Sequence, residues 1–114
     1  MYSERLPTKL WVEALIHRVQ LAGASAFIQK AGDASRGDVL VKVANLQGQA
    51  KLYRPRTTLT GERVFVDLSA QKLGDEEPDI DSYITRECHF DSDLWVIEIE
   101  DRDLRNFITE SIQE

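Results

Sequence analysis

The chain has 114 residues, 42% hydrophobic and 30% charged, with a net charge of −6 and an isoelectric point near 4.9. That length suits one domain with one core and is too short for two, and the composition is that of a globular chain rather than a disordered one. No apolar run approaches the ~18 residues of a membrane span, the start lacks a signal-peptide pattern, and a single cysteine, Cys88, excludes a disulfide scaffold or a cysteine-rich zinc site. The expectation is a single domain over residues 1–114, cytoplasmic and without membrane contact.

From Thr8 to Ala22, Trp11, Val12, Leu15, Ile16 and Val19 recur at helical spacing, with Lys9, Glu13, His17 and Gln20 on the other side. This predicts an amphipathic helix capped by Thr8 and stopped at Gly23. Strands follow at Ala26–Lys30, Val39–Val43, Ala50–Tyr53 and Arg63–Leu68, separated by Gly- and Asp-containing turns, with Pro55 confining the third strand to an edge or ending it. Short connections imply an antiparallel meander. After the polar break Gly74–Pro78, the spacing of Ile80, Tyr83, Ile84 and Cys88 predicts a second helix ending near His89. Leu94–Glu100 alternates as a strand, with Trp95, Ile97 and Ile99 on its buried side, and Asp103–Thr109 reads as a short closing helix. The predicted class is α+β: an antiparallel meander of about four to five strands, with both helices packed mainly on one face.

Period-two alternation groups Val39, Val41, Val43, Ala50, Leu52, Val64, Val66 and Leu68 on the helix-covered face. The opposite face then receives Leu40, Lys42, Lys51, Tyr53, Arg63, Phe65 and Asp67. Basic and aromatic side chains interleaved on an open sheet are how such platforms stack unpaired bases, although an acidic chain disfavours that use. Placing Glu98 and Glu100 on the same face neutralises Lys42, Lys51 and Arg63 by cross-strand pairing, and this reading is preferred.

The charge is unevenly divided. Residues 1–74 carry eleven Lys and Arg against six acids and residues 75–114 three Arg against fourteen, so the segments hold +5 and −11. They attract each other, within one molecule, between two copies or through partners.

The run Phe90-Asp91-Ser92-Asp93-Leu94-Trp95-Val96-Ile97-Glu98-Ile99-Glu100-Asp101-Arg102-Asp103 resembles a family of small bacterial proteins known as domain of unknown function 1491. Leu10-Trp11-Val12 and Gly37-Asp38-Val39-Leu40-Val41-Lys42-Val43 extend the likeness over most of the chain. The resemblance implies a small single-domain intracellular protein of unassigned activity and carries no site residue with it.

Catalytic and metal readings are thinner. Asp91, Asp93, Glu98 and Glu100, with Asp101 and Asp103, offer oxygen ligands for Mg²⁺ or Ca²⁺, yet Trp95, Val96 and Arg102 stand where a calcium loop needs a ligand, Gly and Glu. Asp38 with Gln49-Ala50-Lys51, supplemented by Glu13, fits loosely a metal-dependent nuclease in which Lys51 orients water or steadies phosphate; Asp38 and Gln49 are as natural in turns. Cys88 and His89 are adjacent on a helix, about a hundred degrees apart, and do not meet. The preferred expectation is a non-enzymatic domain without cofactor that binds a protein partner or a second copy of itself through exposed Leu40, Tyr53 and Phe65, flanked by Lys42, Lys51 and Arg63. The alternative is a nucleic-acid-binding or nuclease-like domain.

Overall fold

Helix α1, Thr8–Leu21, opens the computed structural model, which describes residues 6–113. Pro7, not Thr8, stands at its N-cap, and no side chain caps the helix. The Thr8 hydroxyl instead donates to the Gly37 carbonyl at 2.8 Å, and the Thr8 and Lys9 amides donate to the carbonyls of Ser35 and Ala34. The turn before the second strand thus satisfies donors that a helix start leaves open. Gly23, with φ +84°, closes the helix in the left-handed conformation that glycine adopts without strain.

The strands are β1 (Ser25–Lys30), β2 (Val39–Ala44), β3 (Ala50–Thr57), β4 (Arg63–Asp67), β5 (Trp95–Glu100) and β6 (Ile112–Gln113); helix α2, Glu77–Phe90, lies between β4 and β5. They form one sheet in the order β1-β5-β2-β3-β4-β6. β5 enters between β1 and β2, antiparallel to the first and parallel to the second, and β6 runs parallel to β4. The sheet is therefore mixed and six-stranded, not an antiparallel meander of four or five. The reason is α2: a helix crossing over the sheet returns the chain in the direction of β2, where a tight turn would have reversed it.

The helices also lie on opposite faces, which corrects the expectation of one. Trp11, Val12, Leu15 and Val19 of α1 pack with Val39, Val41, Val43, Tyr53, Phe65, Trp95, Ile97 and Ile99. On the other face, Ile80 and Ile84 of α2 pack with Leu40, Ala44, Ala50, Leu52, Leu94 and Val96. Every residue of β2 is buried as a result. A strand covered on both sides reads as a continuous apolar run, and its alternation no longer says which face is which. Pro55 lies inside β3, but beyond Tyr53, where β3 has lost its pairing with β2 and keeps only β4.

The predicted closing helix is absent. Residues 101–111 run irregularly, with positive φ at Leu104 and Phe107, and such a backbone cannot continue a helix. Leu104, Phe107 and Ile108 pack onto the α1-side core, Arg18 donates through Nε and Nη2 to the Phe107 carbonyl, and Trp11 Nε1 donates to Glu110 at 2.8 Å. Tertiary anchorage to α1 has replaced local helicity.

Gly32 and Gly37 bracket the turn that caps α1 and press it onto the start of β5. A Cβ on Gly32 would lie 2.0 Å from the Asp93 carbonyl oxygen, and one on Gly37 2.3 Å from the same atom. Gly32→Ala is expected to destabilise the fold by about 1–3 kcal/mol through backbone displacement. It should also loosen the 2.7 Å bond from Trp95 Nε1 to the Asp33 carbonyl. Thermal melting followed by tryptophan fluorescence checks this, and an unchanged midpoint would show that the close approach carries no weight.

Candidate functional site

The expected basic and aromatic platform does not form. In the β2–β3 hairpin Val41 lies opposite Tyr53 and Lys42 opposite Leu52, and directly opposed residues share a face. Leu40 and Lys42 therefore lie under α2, whereas Lys51, Tyr53, Arg63 and Phe65 lie on the α1 side. Leu40 and Phe65 are fully buried and Tyr53 is 4% exposed. Phe65 stacks on Trp11, ring centroids 5.1 Å apart, and the Arg63 guanidinium caps the Phe65 ring at 5.5 Å. Lys51 is half-buried, 3.7 Å from Asp67, whose carboxylate also accepts from the Ser69 and Ala70 amides. The three residues expected to anchor an interface are core.

Lys42 is the centre of a polar cluster instead. Its Nζ lies 2.7 Å from Glu77, 2.7 Å from Asp81 and 3.5 Å from Glu98. Glu98 is the cross-strand partner of Lys42 on β5, and Glu77 and Asp81 are one turn apart on α2. Gln29 of β1 donates to Glu98 at 2.6 Å. Burial draws the Lys42 ammonium down in pKa, but hydrogen bonds to Asp81 and Glu77 and the charge of Glu98 overcome it, leaving the group above its ordinary value. Burial raises the Glu98 carboxyl, and the neighbouring Lys42 charge only partly offsets this. An ammonium has three hydrogens and no acceptor, so three carboxylates leave it little to offer a substrate. The cluster clamps α2 to the sheet.

A second clamp gathers Arg54 of β3, Asp38, and Tyr83 and Glu87 of α2. Arg54 Nε donates to Asp38 at 2.9 Å, and Nη1 to the Tyr83 hydroxyl and to Glu87. These contacts outweigh the cost of burial and hold the guanidinium above its already high pKa. Both clamps join the basic segment to the acidic one, so part of the charge asymmetry is satisfied within one molecule.

The nuclease-like residues are not brought together. Asp38 belongs to the Arg54 clamp at the start of β2, Gln49 accepts from Asn45 in the turn at the far end, and Lys51 projects towards the other face. Glu13 is exposed on α1. Asp91 accepts from the Asp93 amide in the turn before β5, Glu98 is engaged by Lys42, and Glu100 lies opposite Ser25 of β1. Among the described residues no three His, Cys, Asp or Glu side chains converge as a metal site. Cys88 packs at the margin of the α2-side core and His89 is exposed.

The sequence reading missed the free edge of the sheet. Among the described residues, β1 pairs with β5 and carries no strand on its outer side. Phe27 and Ile28 are 42% and 43% exposed. Edge strands are ordinarily blunted by charge, proline or brevity, yet Ser25-Ala26-Phe27-Ile28-Gln29-Lys30 has one charged residue, and its ammonium is bound to the carbonyls of Ser92 and Leu94. Adjacent Phe27 and Ile28, breaking the polar alternation, were the available signal; that β1 is an edge followed only once β5 was placed.

The acidic run 90–103 is used locally. Asp91 shapes the turn, Trp95, Ile97 and Ile99 enter the core, Glu98 faces Lys42, and Asp101 holds Arg105 through contacts of 2.8 and 3.0 Å. The Arg105 hydrogen bond keeps the Asp101 carboxyl below the usual carboxylate range. The family model described as "Protein of unknown function (DUF1491)" matches residues 6–109. The chain belongs to this family. A crystal structure of a DUF1491 family protein from Caulobacter crescentus CB15 is similar at 44% identity and a TM-score of 0.86, covering 96% of this chain and 100% of that one. An NMR structure of a DUF1491 family protein from the same organism gives 42% and 0.84, covering 98% and 100%. The solution structure of protein Atu0922 from A. tumefaciens gives 33% and 0.77, covering 97% and 98%. A comparison with curated proteins finds no match. The DUF1491 assignment agrees with the mixed α+β fold, and no helix among the described residues is long and apolar enough to cross a membrane.

Proposed function

We propose that this DUF1491 domain works in the cytoplasm through protein contacts rather than catalysis, taking an extended segment of a partner as a further strand on β1. The open edge of β1, with Phe27 and Ile28 exposed on its two faces, carries this reading. Strand addition draws affinity from main-chain hydrogen bonds and specificity from alternate side chains. Apolar residues at the centre of the incoming segment would meet Phe27 and Ile28. Asp91 and Asp93 precede β5 beside Lys30, and Glu100 lies opposite Ser25, so each end of the edge is net negative even with the Lys30 ammonium counted. Basic flanking residues match such ends, whereas a second copy would bring acid against acid.

The immobilised protein is to be compared with Phe27→Lys and Ile28→Lys in capture from native lysate, followed by hydrogen exchange of the purified complex. A partner held by the wild type should be lost at least tenfold in either variant, with β1 amides slowed in the complex. Equal capture by the variants, or unprotected β1 amides, would remove the proposal. A dimer abolished by Ile28→Lys in light scattering would replace the partner with a second copy.

A further inference from the structure

The face of the sheet under α2 is only partly roofed. α2 packs on β2 and β3; beside it, the 3-10 turn Leu68–Ala70 and the loop through Leu73 lead back to the helix. Between them lies a cleft of about 700 Å³ lined by Leu68, Gln71, Lys72, Leu73 and Tyr83. It continues at Leu68 and Gln71 into a hollow of about 300 Å³ over Arg54, Arg56 and Val66. These volumes are those of small-molecule sites, which are typically apolar with a few placed polar groups.

The floor and walls, from Leu68, Leu73, Val66 and the Tyr83 ring, are apolar, while the rim is cationic. Arg56 and Lys72 line the groove, and the Arg86 guanidinium lies 5.8 Å over the Tyr83 ring. Arg56 donates to Gln113, and neither it, Lys72 nor Arg86 forms an ion pair among the described residues. Arg54 differs, being neutralised by Asp38 and Glu87, and it fixes the Tyr83 hydroxyl at 3.1 Å. Asp79, one turn before Tyr83, and Glu87, one turn after it, are acids on the same side of α2. With Arg54 included, four cations stand against the three acids Asp38, Asp79 and Glu87, a net of +1 in a chain of net charge −6, which is a local reversal of sign beside apolar surface.

We infer that this groove binds a small amphiphilic anion, a carboxylate or phosphate carried on an apolar body, with the body over Leu68, Leu73 and Tyr83 and the charge towards Lys72 and Arg56. Desolvating the body supplies affinity, and the cationic rim selects the head group and orients it. The site is separate from the β1 edge.

The test is a titration of the isotopically labelled protein, followed by amide chemical shifts, with octanoate, octyl phosphate and the neutral octanol. Saturable shifts should centre on residues 68–73 and Tyr83. At least one of the two anions should bind tenfold or more tighter than octanol, the tighter one naming the head group. Lys72→Glu, a change at an exposed side chain, should weaken that anion at least tenfold and leave octanol unchanged. Octanol binding as tightly as both anions, shifts scattered without saturation, or an affinity indifferent to Lys72→Glu would overturn the inference.

Discussion

Lys42→Met should cost the fold about 3–5 kcal/mol, although methionine nearly matches the length of the side chain it replaces. Removing one member of a buried pair strands the other. Glu98 is 7% exposed and would retain only the Gln29 amide, while Glu77 and Asp81 are more open to solvent. The sign of the pH dependence follows from Glu98. Burial already raises its folded pKa, and without the Lys42 charge it rises further. The folded variant then binds a proton that the unfolded chain, with a glutamate near 4.3, gives up. Its stability should therefore increase as pH falls from 7 towards that value, and adding Glu98→Gln should restore much of the loss at pH 7. In the wild type the raised ammonium works oppositely: its contribution is complete below about 10.4 and disappears as pH climbs through the folded value. Urea denaturation of the variant at pH 7 and 5 measures the first effect, and of the wild type above about pH 10.4 the second. A loss below about 1 kcal/mol with no acid recovery would mean that the cluster is effectively solvated.

Phe65→Ala is expected to be as damaging, at about 3–5 kcal/mol, by the usual cost of emptying an aromatic site in a core. Phe65 is fully buried against Trp11, and the substitution leaves both the indole and the Arg63 guanidinium without their ring. The urea midpoint should fall with an unchanged slope, since the surface exposed on unfolding barely alters, and Trp11 emission should shift to the red. The outcome separates two opposed views of one residue. An interface anchor loses binding and keeps its fold; a core residue does the reverse. A wild-type midpoint in Phe65→Ala would return Phe65 to the surface.

Both variants mark where sequence reasoning stops. α1 and α2 were legible because each shows one apolar face at helical spacing, and the strands because Val-, Leu- and Ile-rich runs sit between turn residues. Pairing was not. Lys42 looked like a surface residue because its three carboxylate partners come from two later elements, and nothing near it in sequence announces them. Alternation fixes which residues of one strand share a face, not which face of the next strand they join, so it does not separate Tyr53 from Lys42. Where both faces are buried, that choice belongs to the tertiary fold. The preferred cross-strand neutralisation holds for Lys42 with Glu98; Lys51 turns to Asp67 and Arg63 to Phe65. The apolar groove was invisible for the same reason, since Leu73, Tyr83 and Arg56 are brought together by three separate elements.

The insertion of β5 between β1 and β2 also sets an order of events during synthesis. The β2–β3 and β3–β4 hairpins can close as soon as each strand has left the ribosome, because their partners are near in sequence. β1 has no such neighbour. Ser25 waits for Glu100; the apolar stripe of α1 can settle earlier on Val39, Val41, Val43, Tyr53 and Phe65, but its cover is complete only with Trp95, Ile97 and Ile99. For most of translation β1 has no strand to pair with, and Phe27 and Ile28 lie on an unpaired segment meanwhile. A stalled or truncated chain lacking β5 would leave β1 unpaired along both of its edges.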